Sequence, residues 1–549
     1  MTRSVPAVIA LFCLLYLLPL GLRPMTVPDE SRYSEIPREM IASGDWVVPR
    51  LNGVRYFEKP VLGYWVNAVS ITLFGQNRFA VRLPAALATG LSALMVFLLI
   101  RRFTGTSEAG VLAAGAYLTC IVVFALGVIN ILDSLLTLFL TVGMGAFFLA
   151  YLSGRMWTRV LGLALLGICC GLAFLVKGFL AFAAPAVAVV PFVIWEGRWK
   201  AFFKTAWIPA LAAVLVALPW GVMIHLREGD FWNYFFWTEH ISRFLSPIPG
   251  QHPKPLWFFI PVLIGGALPW AALIPAACLG GKRSWFSDPF IRFTVCWLFF
   301  PFLFFSASSG KLIPYILPCF PPLVILITLG LREYLRSGRQ KAFTFCASAF
   351  GIVLAILTVL FVFMELTDFA GGRVYDPSET WKWTMAVLAF SVWSLLSFFA
   401  PKGYNVWRKL AIYCAAPVLV YLSVHSALPN QVLEGRAPER LLERNRERVQ
   451  KDTLVVSDEY LVHAVCWIFN RQDIYLFEKP GELAYGLKHD PEGDARLLSL
   501  ARFRDLIGRR HHRPRVVLVV EAGRYEKYLQ SLPPPVFEDR DNGVLFLVF

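Results

Sequence analysis

The sequence is short of charge. Only 16% of its 549 residues are Asp, Glu, Lys or Arg, where a soluble domain carries about 25%. No internal repeat, low-complexity linker or glycine-rich nucleotide loop is visible. The missing repeat weighs against a transporter built from inverted halves, and the missing loop against a nucleotide cofactor. Nine of the ten cysteines lie in or at the edges of apolar runs, leaving Cys466 alone in the hydrophilic tail. A disulfide within that tail is therefore excluded, and the adjacent pair Cys169-Cys170 lacks metal-ligand spacing. No small-residue cleavage site follows the opening run Val5 to Leu22, since the chain continues Arg23-Pro24-Met25. That run reads as a retained first spanning helix rather than a signal peptide.

What the chain has instead is apolar surface. Hydrophobic residues make up 57% of it and the mean hydropathy is +0.59. Much of this lies in runs of the roughly 20 residues that cross a bilayer. A soluble fold is excluded. Thirteen candidate spans centre near Leu14, Leu91, Tyr117, Thr141, Leu166, Val187, Val214, Leu263, Phe299, Leu323, Leu354, Val387 and Val418. The net charge of +15 would point to nucleic acid in a soluble chain, but here the base gathers in alternate short loops. One set runs Arg3, Arg101-Arg102, Arg155, Arg159, Arg198, Lys200, Lys204 and Lys282-Arg283. It continues through Arg332, Arg336, Arg339, Lys341, Lys402 and Arg408-Lys409. The positive-inside rule puts that set in the cytoplasm and removes nucleic acid as a partner. An odd helix count then places the C-terminal tail outside.

Two polar stretches interrupt the pattern. In the first loop, residues 24–79, Tyr33, Ile36 and Met40 share one helical stripe opposite Arg32, Glu35 and Glu39, as expected for an interfacial helix. The tail, 428–549, alternates strand-like runs (Thr453–Ser457, Asp473–Phe477, Arg515–Glu521) with helix-like ones (Glu459–Phe469, Asp494–Arg509, Tyr525–Leu532). It closes with Val536–Glu538 and Val544–Phe549 around Asp541-Asn542-Gly543, a hairpin signal. The expected fold is an α-helical polytopic membrane protein with about thirteen spans and interfacial helices. It comprises a transmembrane domain 1–427, with its long loop, and a soluble α/β domain 428–549.

Charges at or near membrane depth are costly and mark functional sites. Asp29, Glu30, Glu58, Lys59, Asp133, Lys177, Glu239, His240, Arg243, Lys311 and Tyr315 all fall at outer helix ends or in outer loops. Carboxylates, cations and a histidine on one face suit the handling of a phosphate, with a divalent cation as a further expectation. Each residue also has a structural reading. Asp29 and Asp133 sit where a helix cap would. Lys177 and Lys311 have the length to snorkel. Glu58-Lys59-Pro60 reads equally as a turn, and a lone His240 as an ordinary polar residue.

At these positions the chain resembles the bacterial C-type membrane glycosyltransferases, and among them the lipid A 4-amino-4-deoxy-L-arabinose transferases. The likeness lies in Pro28-Asp29-Glu30-Ser31-Arg32-Tyr33, Arg55-Tyr56-Phe57-Glu58-Lys59-Pro60, Gly63-Tyr64-Trp65 and Lys177-Gly178-Phe179-Leu180. It continues in Glu239-His240, Arg243-Phe244, Gly310-Lys311-Leu312, Pro314-Tyr315 and, in the tail, Gly481-Glu482-Leu483. One departure is Ser134 after Leu132-Asp133, where the pattern has proline. The resemblance implies an undecaprenyl phosphate-linked aminoarabinose donor, a lipid A phosphate acceptor, contact with membrane lipids, a monomer, and resistance to polymyxin. It implies Asp29 and Asp133 as catalytic residues. Glu30, Arg32, Tyr56, Lys59, Lys177, Arg243, Lys311 and Tyr315 are implied to bind substrate. Glu58 and His240 form a candidate metal pair for zinc, manganese or magnesium, with imidazole and carboxylate together best suited to the first two. The rival readings are a polyprenyl-phosphate-sugar transferase with another acceptor, such as a protein O-mannosyltransferase, and a transporter or lipid flippase.

The basic loops fix an expected topology. Reporter fusions after Arg102, Lys204 and Lys341 should read cytoplasmic and a fusion at Phe549 periplasmic. A cytoplasmic tail would overturn the assignment.

Overall fold

The computed structural model describes residues 4–242, 253–281, 283–367, 373–508 and 515–549. The chain divides into two compact units. The first comprises 1–20, 82–373 and 381–427, and the second 21–81, 374–380 and 428–549. The first loop thus folds with the tail, although the sequence placed it with the membrane part.

The first unit is helical. Among the described residues, nine helices are long and apolar enough to span a bilayer, or eleven if two bent pairs each count as one. Every expected centre falls in an apolar helix, but the count of thirteen is not reached on length. Val5–Leu17 and Leu180–Trp195 are shorter than the other spans. At 1.5 Å per residue they reach only about 20 and 24 Å, against a hydrocarbon core of roughly 30 Å.

The bent pairs are Ser107–Leu118 with Ile121–Gly127, at 68°, and Leu256–Gly266 with Trp270–Gly280, at 91°. A broken helix leaves backbone groups that lipid cannot satisfy. Here the two breaks satisfy one another. The Ile121 N–H donates to the Leu268 carbonyl at 3.1 Å, and the Trp270 indole N–H donates to the Thr119 hydroxyl at 2.8 Å. The Tyr413 and Tyr421 hydroxyls donate to the carbonyls of Pro269 and Thr119 at 2.8 and 2.7 Å.

Small residues set the closest helix contacts. Helix Met156–Lys177 carries Gly167 and Gly171, four apart, against helix Trp207–Arg227. A methyl group at either would lie 2.2 Å from the Pro209 carbonyl oxygen or 2.7 Å from that of Ala213. This is the close approach that small residues allow between helices in lipid.

The second unit is built on a six-stranded sheet of order β5-β4-β3-β6-β8-β7. Its strands are β3 (Leu454–Ser457), β4 (Tyr475–Phe477), β5 (Leu497–Leu498), β6 (Val516–Glu521), β7 (Phe537–Asp541) and β8 (Val544–Val548). The first four are parallel, while β8 pairs antiparallel with β6 and β7. The expected hairpin is present, with Asn542 and Gly543 at φ +46° and +70°, as a two-residue turn of this twist requires. Strand β5 interrupts the stretch Asp494–Arg509 read from sequence as one helix, and separates the short helix Gly493–Arg496 from helix Leu500–Gly508.

The loop joins this sheet through a small hairpin, β1 (Arg50–Leu51) and β2 (Val54–Arg55). The Glu39 carboxylate accepts from the backbone N–H groups of Asn52 and Gly53 at 2.6 and 3.0 Å. The Asn52 amide then pairs with both backbone groups of Ile474, beside β4, at 2.8 and 3.0 Å. Helix Asp29–Ser43 is consequently buried on both faces from Glu30 to Met40. The interfacial reading is corrected: its polar stripe meets protein, with Arg38 bidentate on Glu35 at 2.7 and 2.6 Å.

Candidate functional site

In the first unit, helices Asp133–Leu152 and Met156–Lys177 form an antiparallel hairpin. The first residue of one and the last of the other therefore lie side by side. Lys177 Nζ is 2.5 Å from Asp133 Oδ1, and the two side chains are only 11% and 9% exposed. Leu132, not Asp133, holds the N-cap position, and no side chain caps the helix. The capping reading of Asp133 therefore falls away. Lys177 Nζ also lies 4.6 Å from the Tyr315 ring centroid, a cation–π contact. The Ser134 hydroxyl donates to the Leu126 carbonyl at 3.1 Å, a bond proline has no means to make.

Behind Lys177 the chain turns at Gly178, φ +77°. His240 packs against this turn. Its Nδ1 lies 2.8 Å from the Phe235 carbonyl, as a donor, and its Nε2 accepts from the Phe179 N–H at 3.3 Å. Both ring nitrogens are spent on backbone, which corrects the metal reading of His240. Among the described residues no group of three His, Cys, Asp or Glu side chains converges for a metal.

An apolar cavity of about 430 Å³ adjoins the same turn. Phe174, Phe179, Ala213, Leu218 and Trp232 line it. Lys311 is buried at 4% exposure, and its ammonium donates to the carbonyls of Lys254 (3.0 Å) and Ser308. It acts first as a backbone clasp. Arg243 lies outside the described residues.

The second unit holds the other cluster. Asp29 opens helix Asp29–Ser43 without capping it, the N-cap being Pro28. Its carboxylate is 57% exposed. Arg32, one turn on, is buried and forms ion pairs with both Asp29 and Glu482. Tyr56 Oη lies 3.5 Å from Glu482 Oε2, and His463 Nε2 lies 3.8 Å from the same oxygen. Burial opposes ionisation of Glu482, but Arg32, then His463 and, with a smaller share, Lys59 hold its carboxyl down at about 2. Burial, opposed by Glu482 and aided by Arg32, pushes His463 down to about 4, so its imidazole is neutral at pH 7.

Glu30 is corrected too. It is 1% exposed and accepts from Arg23 at 3.1 Å and from Thr26 N–H and Oγ–H at 3.0 Å each. It braces the loop rather than meeting substrate. Arg32 likewise meets carboxylates of its own chain. Lys59 is half-buried and donates to the Glu58 carbonyl at 2.8 Å. Sequence reasoning missed His463 altogether and took Glu482 only as part of a motif. Arg32 and Glu482 stand 450 positions apart, and no periodicity links them.

Comparison with known proteins gives the class first. Residues 1–235 match the family model of dolichyl-phosphate-mannose-protein mannosyltransferases. Residues 433–548 match that of the arabinosyl transferase ArnT C-terminal domain. The protein is a membrane glycosyltransferase. Its similarity to undecaprenyl phosphate-alpha-4-amino-4-deoxy-L-arabinose arabinosyl transferases runs the length of the chain. The Aeromonas hydrophila protein is 37% identical over 95% of both chains. The Edwardsiella ictaluri protein is 39% identical over 98% of this chain and 97% of its own. The chain belongs to this arabinosyl transferase family. The fold matches that of the crystal structure of ArnT from Cupriavidus metallidurans bound to undecaprenyl phosphate. The TM-score is 0.84 at 22% identity, covering 100% of this chain and 98% of the other.

The Gly178 turn generates a sharp test. A Cβ there would lie 2.3 Å from His240 Nε2 and 2.9 Å from Phe235 Cζ, on a backbone that already disfavours L side chains. Gly178→Ala should lower thermal stability and cut transfer at least tenfold. Wild-type turnover in that variant would show the turn to be unimportant.

Proposed function

We propose that this protein moves 4-amino-4-deoxy-L-arabinose from undecaprenyl phosphate to a phosphate of lipid A. The reaction takes place at the periplasmic face of the inner membrane and confers resistance to polymyxin and other cationic peptides. The observation that carries the reading is the buried Lys177–Asp133 pair beside an apolar cavity, in a chain alike throughout to transferases named for that donor and sugar. An apolar cavity lined by Phe174 and Phe179, which flank Lys177 in the chain, suits a prenyl phosphate.

In such a donor the leaving group is already a phosphate. Catalysis then consists mainly of stabilising its charge and aligning the acceptor. In the first unit, Lys177 holds the donor phosphate, Asp133 aims the ammonium and Tyr315 supports it. In the second, Lys59 supplies a further cation and Tyr56 a polar wall. A lipid A phosphate is largely ionised at neutral pH, so the acceptor needs no strong general base. Asp29 instead orients the acceptor or holds the sugar ammonium. The residues offered for a metal do not fit one, because His240 has no free nitrogen, and no step runs through a metal.

The acceptor separates this reading from a protein O-mannosyltransferase-like one. Lipid A from cells carrying the gene should gain the mass of one pentosamine per modified phosphate. Unchanged lipid A alongside a glycosylated protein would favour the alternative. With purified enzyme, Lys177→Ala and Lys59→Ala should each weaken the dependence on donor concentration more than they lower the melting temperature. Normal donor dependence would reduce both lysines to interfacial anchors.

A further inference from the structure

The second unit contains an arrangement that the proposed chemistry does not itself require. Asp29, Arg32, Glu482 and His463 form a row in which the two carboxylates are partly open and the two basic side chains sealed, at 57%, 7%, 36% and 1% exposure. One guanidinium serves two carboxylates: its Nη2 goes to Asp29 Oδ1 and its Nη1 to Glu482 Oε2. Its Nε has no partner among the described residues.

This division matters because of what Arg32 would otherwise do. A buried arginine facing a single carboxylate favours the two-point, fork-to-fork pairing. Paired so with Asp29, it would occupy both carboxylate oxygens and neutralise the group. Glu482 draws one Nη away, so that Asp29 is held at one oxygen, Oδ1. The other oxygen stays on an exposed side chain, with no hydrogen bond among the described residues.

We propose that the C-terminal α/β domain supplies Glu482 and His463 as positioning residues, which hold Arg32 to a one-point contact with Asp29 and keep the second Asp29 oxygen available to substrate. The proposal rests on Asp29 acting in the transfer described above. Glu482 reaches Arg32 from the short turn Gly481–Leu483, whereas His463 belongs to helix Val462–Phe469. His463 closes the inner side of Glu482 without competing for it, since at neutral pH its imidazole is uncharged. Its Nδ1 is buried with no hydrogen-bond partner among the described residues, a cost that a purely structural position gives no reason to keep. The tail thus takes part in catalysis through one arginine, without touching the sugar.

The test uses full-length enzyme in detergent or nanodiscs, with initial rates measured against donor concentration and melting temperature recorded in parallel. Glu482→Ala should lower kcat by about 100-fold, the scale of a small misplacement of a reacting group, while donor KM stays within a factor of two or so. Glu482→Asp should recover part of the loss. His463→Leu should lower kcat more modestly, and add nothing once Glu482 is Ala. The decisive comparison is the double variant Arg32→Ala/Glu482→Ala. If Glu482 acts through Arg32, its removal costs nothing further in the Arg32→Ala background. Fully multiplicative losses, a raised donor KM, or wild-type kcat in Glu482→Ala would overturn the proposal. Should Glu482→Ala fail to fold, Glu482→Gln keeps the shape without the charge, and the same criteria apply. Failure of the underlying reading looks different: the wild-type enzyme would transfer no aminoarabinose, or Asp29→Asn would remain fully active.

Discussion

A lysine and an aspartate at the ends of two apolar helices are the constraint around which the first unit is organised. Removing both charges from water costs several kcal/mol per ion, and a contact such as that of Lys177 with Asp133 recovers this cost only in part. A pair of leucine-sized side chains would be at least as stable there. The pair is therefore poorly explained as glue and well explained as equipment. The helices that carry it support that view. Gly167 and Gly171 let helix Met156–Lys177 approach its neighbour at backbone distance, which fixes where its last residue ends. Gly178 then turns the chain so tightly that the rings of His240 and Phe235 fill the space.

The second unit meets the same problem in a different way. Its charges are buried against protein rather than lipid, and nearly all are answered by a carboxylate, a guanidinium or a backbone N–H. Glu39 organises a hairpin, Glu30 braces a loop and Arg38 embraces Glu35. Asp29 keeps an exposed carboxylate at the start of an otherwise buried helix, and among the described residues Arg32 Nε and His463 Nδ1 in the same row have no hydrogen-bond partner, as does Arg496 Nε elsewhere in the unit.

The membrane part was legible in the sequence because lipid permits few solutions: long apolar runs and alternating basic loops carry most of its information. The hairpin at Asn542-Gly543 was legible for a similar reason, its backbone demanding those residues. Legibility failed where partners are remote. Helix Asp29–Ser43 shows a clean polar stripe, and periodicity says only that one face differs from the other, not that Asn52 and the tail cover the polar one. Glu30 and Arg32 looked like substrate ligands because their charge was visible and their partners were not. The two helix breaks escaped notice because a hydropathy window averages across Thr119-Cys120 and Leu268-Pro269 alike.

The account stands or falls on whether the buried pair exists for substrate or for stability, and one variant separates the two. Replacing both members by apolar isosteres, Asp133→Leu/Lys177→Met, removes the desolvation cost together with the attraction. Melting temperature and sugar transfer should be measured on the same purified preparation. The account predicts a protein that melts no lower than wild type and transfers no detectable aminoarabinose. A double variant that transfers at the wild-type rate would contradict it.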